Sequence, residues 1–136
     1  MNYLLDTHII LWTLFDPGKL SESIKEILVD SEKQKFVSGI NLWEISIKYS
    51  LGKLDLGNKN PDELLITIKD SGFRITEIPH QILSAYYKLP KKENHKDPFD
   101  RMLIWQSIES GFTLLSHDSK LEQYIPNGLT LVTNRI

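Results

Sequence analysis

The segment Asn2-Tyr3-Leu4-Leu5-Asp6 decides the reading of this chain. Three large apolar residues in succession, bounded by polar ones, argue for a short buried strand. The run ends on an acid. A carboxylate is rarely buried unless it is paired or bound to a metal. The next residue, Thr7, could cap a following helix unaided, so capping does not account for Asp6.

Working outward, apolar runs alternate with amphipathic stretches. Helical patterns are expected over 8–15, stopped by Asp16-Pro17-Gly18, and over 21–33, opened by Ser21. Further helices are expected over 41–50, from Pro61 to Ser71, over 79–88, over 98–110 ending at Gly111, and over 119–124. Strands are expected at 36–38, 73–78, 112–115 and 129–133. Strands separated by helices predict an α/β fold with a mainly parallel sheet. Ligands of such folds bind outside the carboxyl ends of the strands. Asp6, Glu44, Asp97, Asp100 and Asp118 are all expected near that edge.

Composition narrows the classes. At 136 residues the chain fits one domain, 1–136, with no repeat or linker to divide it. It has no cysteine, which excludes disulfides and thiolate metal sites. The longest charge-free apolar run near the start, Thr7 to Phe15, is nine residues, against about 20 for a membrane helix. With no secretion signal either, a cytoplasmic protein without membrane contact is expected. A net charge of −2 is not the basic excess of a protein that grips nucleic acid by charge alone.

Most of the acids have a structural reading. Asn41-Leu42-Trp43-Glu44 fits a capping box with Asn41 as the N-cap. Asp97-Pro98-Phe99-Asp100 fits an N-cap followed by proline and a first-turn acid. Asp118 can cap the last short helix. Yet acids gathered on one edge repel one another and raise each other's pKa. A hard divalent cation relieves that repulsion, because Mg²⁺ and Mn²⁺ favour carboxylate oxygens.

Four blocks together resemble the PIN-domain family, and within it the VapC-type toxins of bacterial toxin–antitoxin modules. They are Leu4-Leu5-Asp6-Thr7-His8, Leu42-Trp43-Glu44-Ile45 with Leu51-Gly52-Lys53-Leu54, His95-Lys96-Asp97-Pro98-Phe99-Asp100-Arg101, and Ser116-His117-Asp118. The likeness spans nearly the whole chain in the right order. It implies a three-layer α/β sandwich with a mainly parallel central sheet flanked by helices. It implies that Asp6, Glu44, Asp100 and Asp118 form an acidic quartet holding Mg²⁺ or Mn²⁺. Asp100 is favoured over Asp97 because it heads the apolar stretch Met102-Leu103-Ile104. Thr7, Asp97, Arg101 and Ser116 take supporting or substrate-binding places, with Ser116 where the family often has threonine.

The implied activity is endoribonuclease cleavage by metal-activated water, leaving a 5′-phosphate and a 3′-hydroxyl. The implied partners are an RNA substrate, a cognate antitoxin and a second copy of the chain. The alternative is a PIN-like module that binds RNA or protein without cutting. A dehalogenase-type phosphohydrolase needs an acid two residues after Asp6, where His8 stands. A receiver domain needs adjacent early acids, which are missing. The quartet accounts for −4 of the charge, so the rest of the chain carries +2. Lys88 to Lys96, with four Lys, one Glu and one His, has a local charge of +3 and is expected to face either phosphate or solvent. Arg101 is expected to clamp a phosphate or pair with a carboxylate. Trp12, Trp43 and Trp105 are expected in the core or an interface.

Overall fold

Tyr3 and Leu5 pack on one face of a central sheet and Leu4 on the other, because successive strand side chains point to opposite sides. The same alternation places Leu115 in the first cluster and Leu114 in the second. All of these leucines are fully buried, and each contributes about 1.5–3 kcal/mol by leaving water.

The computed structural model describes residues 1–135. The strands are β1 (Asn2–Leu5), β2 (Gln34–Ser38), β3 (Arg74–Thr76), β4 (Thr113–Ser116) and β5 (Thr130–Thr133). The α-helices are α1 (Thr7–Phe15), α2 (Glu22–Val29), α3 (Gly39–Ser50), α4 (Pro61–Asp70), α5 (His80–Ser84) and α6 (Pro98–Ser110). The five strands lie in the order β3-β2-β1-β4-β5 and every pair is parallel. The chain steps outward from β1 in one direction and then returns to β1's other side with β4. The sheet therefore reverses its winding between β1 and β4, the position at which doubly wound sheets open a crevice. Helices cover both faces, giving the three layers that the fold class implied. No helix of the described residues is long and apolar enough to cross a membrane.

Several element boundaries differ from the sequence reading, each for a local reason. Asp6, not Thr7, caps α1: its Oδ1 accepts from the Ile9 amide at 2.9 Å. Helix α3 starts two residues early, with Ser38 as N-cap and Asn41 as the third helical residue of the capping box. Glu44 is thereby released from the capping role. Helix α2 stops at Val29 because Asp30 folds back to accept from the Glu32 amide, a side-chain bond that competes with helix. The stretch 79–88 breaks into α5 and a 3₁₀ turn at Tyr86–Lys88. Pro90 disfavours helix at Leu89, which is extended. The stretch after Asp118 is 3₁₀ throughout Ser119–Asn127, with Pro126 inside it. Gly111 ends α6 in the left-handed region, φ 75°, as the sequence predicts.

Trp105 is buried, with its indole N–H donating to the Ile82 carbonyl at 2.9 Å. Trp12 is half-buried, edge-on to His8 and His117. Trp43 is outside the core, 60% exposed and edge-on to Phe99, which leaves the interface half of the expectation.

Candidate active site

Parallel strands bring all their carboxyl ends to one edge, and crossover helices run back against them, so helix N-termini arrive there too. Asp6 follows β1, Glu44 lies in α3 after β2, Asp100 is in the first turn of α6, and Asp118 follows β4. Asp6 and Asp118 thus flank the switch point between β1 and β4.

Asp6 is buried and saturated with donors. Its Oδ2 accepts from the Ser116 hydroxyl at 2.6 Å, the His117 amide at 3.0 Å and His117 Nδ1–H at 2.9 Å. Burial pushes this carboxyl up, but the bonds and charge of His117, with Ser116 and the Ile9 amide, outweigh it and hold the value below the ordinary range. The His117 imidazole is raised in return, chiefly by its hydrogen bond to Asp6. Its ring stacks on His8 at 4.0 Å between centroids. The Ser116 hydroxyl also accepts from the Asp118 amide at 3.1 Å, which joins the two acids through one side chain.

Glu44 sits in a second buried network. Its Oε1 accepts from Thr7 Oγ1 at 2.5 Å and its Oε2 from Lys48 Nζ at 2.5 Å. Thr7 in turn accepts from Asn41 Nδ2 at 3.0 Å, and Asn41 Oδ1 accepts from the Ser38 amide. The capping box of α3 therefore also orients Glu44. Burial pulls Lys48 down, but Glu44 and the charges of Asp97 and Asp100 raise it above its ordinary value.

Asp97 caps α6, accepting from the Phe99 and Asp100 amides at 2.9 and 3.2 Å. Asp100 remains without such partners and behaves oppositely to Asp6. Burial first, then the negative charges of Asp97, Asp6 and Glu44, push its carboxyl up to about 7. The mutual repulsion expected of clustered acids is felt at Asp100. Among the described residues, His95, Asp100 and Asp118 offer ligand atoms within 4.8 Å of one another. Asp6 and Glu44 lie outside that tight group and act on Asp100 through their charge. His95 is 5% exposed, and its Nε2 is buried without a hydrogen-bond partner, 3.7 Å from Asp100 Oδ2.

Arg101 has neither of the expected roles. Its guanidinium is buried and donates to the Tyr86 hydroxyl, the Tyr124 hydroxyl and the carbonyls of Leu89 and Pro90, at 2.9–3.1 Å. Tyr124, fully buried, is also hydrogen-bonded to His95 Nδ1 at 2.8 Å. One planar fork thus fastens the strap 86–96 and, through Tyr124, the imidazole beside Asp100.

Four residues of this constellation take roles that sequence reading did not give them. Lys48 had a signal, since it stands four residues after Glu44 on one helix. Asn41 was noticed but given the wrong cap position. His117 and Tyr124 had no signal, because their partners lie 111 and 23 to 29 residues away.

Acids gathered at the switch point of a parallel sheet, with His95 beside two of them, define an α/β protein with an acidic cluster at the carboxyl ends of its strands. The family model described as the PIN domain matches residues 3–125, and the chain belongs to that family. Solved structures with the same fold include VapBC2 of Rickettsia felis bound to a DNA fragment from its promoter. That match has 22% identity and a TM-score of 0.73 and covers 99% of this chain and 100% of that one. VapBC-1 of nontypeable Haemophilus influenzae matches at 21% identity and TM-score 0.66, covering 98% of each chain. DNA-bound VapBC of Salmonella typhimurium matches at 19% and 0.68, also over 98% of each. Comparison with curated proteins gives no significant sequence match.

Proposed function

We propose that this chain is a divalent-metal-dependent endoribonuclease, the VapC-type toxin of a toxin–antitoxin pair. One observation carries the reading. His95, Asp100 and Asp118 converge within 4.8 Å, where burial first, and then the negative charges of Asp97, Asp6 and Glu44, lift Asp100 to about 7. Such a group takes up either a proton or a cation, and a divalent cation relieves the repulsion while keeping the carboxylates ionised. Membership of the PIN family and full-length likeness to chains of VapBC complexes support the nuclease and the antitoxin partner. The proposal includes action on RNA in the cytoplasm as a homodimer.

The three groups that converge, the Asp100 and Asp118 carboxylates and the partnerless His95 Nε2, are a donor set that fits Mn²⁺ or Mg²⁺, and the proposal adds Asp6 and Glu44, which lie outside that group, as the remaining carboxylates. When bound, such an ion lowers the pKa of a water and offsets charge on the leaving oxygen. The chain's own residues prepare for it. Ser116 and His117 keep Asp6 ionised and aimed. Thr7 and Lys48 hold both oxygens of Glu44. Asp97 satisfies the helix terminus, which leaves the Asp100 carboxylate for the cleft.

Cleavage of a single-stranded RNA should require Mg²⁺ or Mn²⁺ and stop in EDTA. RNA binding with no cleavage under any of these ions would leave only a binding module.

A pH dependence follows from Asp100. Its folded-state value of about 7 lies above the ordinary 3.8. Between about pH 4 and pH 7 the folded chain therefore keeps a proton that the unfolded chain has lost. The stability contributed by this group falls as pH rises through that window and is level above it. Protons and the cation compete for the same oxygens. Saturating Mg²⁺ should thus raise the melting temperature more at pH 8 than at pH 6. Equal shifts at the two pH values would remove Asp100 from the ligand set.

A further inference from the structure

The strap 86–96 encloses a cavity of about 560 Å³ that the acidic cleft does not use. That volume suits a nucleotide-sized ligand. Tyr86, Tyr87 and Leu89 line it together with Lys91, Lys92 and Lys96, and Glu93 is the one acid among the lining residues. The Tyr87 ring is 78% exposed, with Lys88 Nζ 6.0 Å from its centroid. Lys92 stands over the ring of Tyr124 at 5.5 Å, but Tyr124 is fully buried, so Tyr87 is the ring with an open face. Aromatic faces interleaved with cations are what a stacked base and its phosphate require together. An acidic peptide would use the lysines but leave the exposed Tyr87 face without a purpose.

The strap is pre-shaped. Arg101 holds the carbonyls of Leu89 and Pro90, and the His95 amide closes a turn on the Lys92 carbonyl at 3.2 Å. His95 lines the cavity and also stands 3.7 Å from Asp100, so one side chain borders both the cavity and the acids.

We infer that this cavity is a nucleotide subsite for the RNA strand being cut: Tyr87 stacks one base while Lys91 and Lys96 hold its phosphates. The inference rests on the reading of RNA as substrate, and its test separates the two.

Binding is measured by fluorescence anisotropy with a labelled random-sequence RNA 10-mer and an abasic ribose-phosphate 10-mer of equal charge. The chain carries Asp6→Asn with Mg²⁺, and the unaltered chain in Ca²⁺ serves as a second background should that variant fold poorly. Tyr87→Ala, at an exposed position, should weaken RNA binding about tenfold and leave abasic binding unchanged. Lys91→Glu with Lys96→Glu should weaken both and flatten the salt dependence. RNA affinity within twofold of the parent for Tyr87→Ala overturns the subsite, even where the unaltered chain still cleaves RNA. Equal losses of RNA and polyglutamate binding in the lysine variant, with no effect of Tyr87→Ala, assign the cavity to acidic protein instead. If the unaltered chain neither binds nor cleaves RNA, subsite and substrate reading fall together.

Discussion

Asp6→Asn should lower metal-dependent RNA cleavage at least about 100-fold while the chain stays folded. The carboxylate is the most constrained acid of the cleft, fixed by Ile9, Ser116 and both His117 donors. Asparagine keeps the Oδ1 acceptor for the α1 cap, since it is a good N-cap residue. It cannot accept two or three donors at the other position, where it presents its own N–H₂. The expected stability loss is about 1–3 kcal/mol, measured by urea unfolding. The loss has a pH signature. Asp6 is held below its ordinary value, so its stabilisation is present above about 3.8 and disappears as pH falls through the lower folded-state value. The His117 half runs the other way, present below about 6.5 and lost as pH rises through its raised value. Cleavage within tenfold of the parent would remove Asp6 from the proposed machinery.

Arg101→Ala carries the second large expectation, this time on stability: a loss of about 2–4 kcal/mol. The substitution leaves the carbonyls of Leu89 and Pro90 without their donor and strips the fully buried Tyr124 hydroxyl of one partner. It also removes a long side chain from the contact with Tyr86. Arg101→Lys is the informative companion. It keeps the charge but not the planar fork, so it should recover less than half of the loss. Cleavage should fall in both variants because the strap carries His95 to Asp100. A stability change below about 1 kcal/mol for Arg101→Ala would show that the strap is held by other contacts.

These two residues mark where sequence reading stops. Asp6 was legible because its anomaly is local: an acid closing an apolar run has few explanations, and strand periodicity locates it. The same locality made the α/β class, the strand order of events along the chain and the α6 boundaries readable. Arg101 was not legible. It stands beside Asp100 in a motif rich in charge, and sequence offers it phosphates or carboxylates as partners. Its actual partners are two tyrosine hydroxyls and two backbone carbonyls. Backbone carbonyls have no sequence signature, and Tyr124 arrives from 23 residues away.

The capping acids show the same division. Asp97 and Asp118 cap helical segments as their neighbours in sequence indicate. Asn41 was misplaced by three positions because Ser38, at the end of β2, competes for the cap and takes it. That shift redirects Asn41 to Thr7 and gives Glu44 a fixed orientation.

Sequence by itself determined the alternation of strands and helices and the acids that end them, because both follow from short-range periodicity and residue chemistry. Tertiary structure alone decided how those acids differ. Asp6 meets Ser116 and His117 from β4 and its exit, and its charge is stabilised. Asp100, at the same edge, meets burial and three other negative charges, and its carboxyl is pushed up to about 7. Two aspartates of identical intrinsic acidity part in opposite directions because hydrogen bonding and desolvation depend on neighbours that only folding assembles.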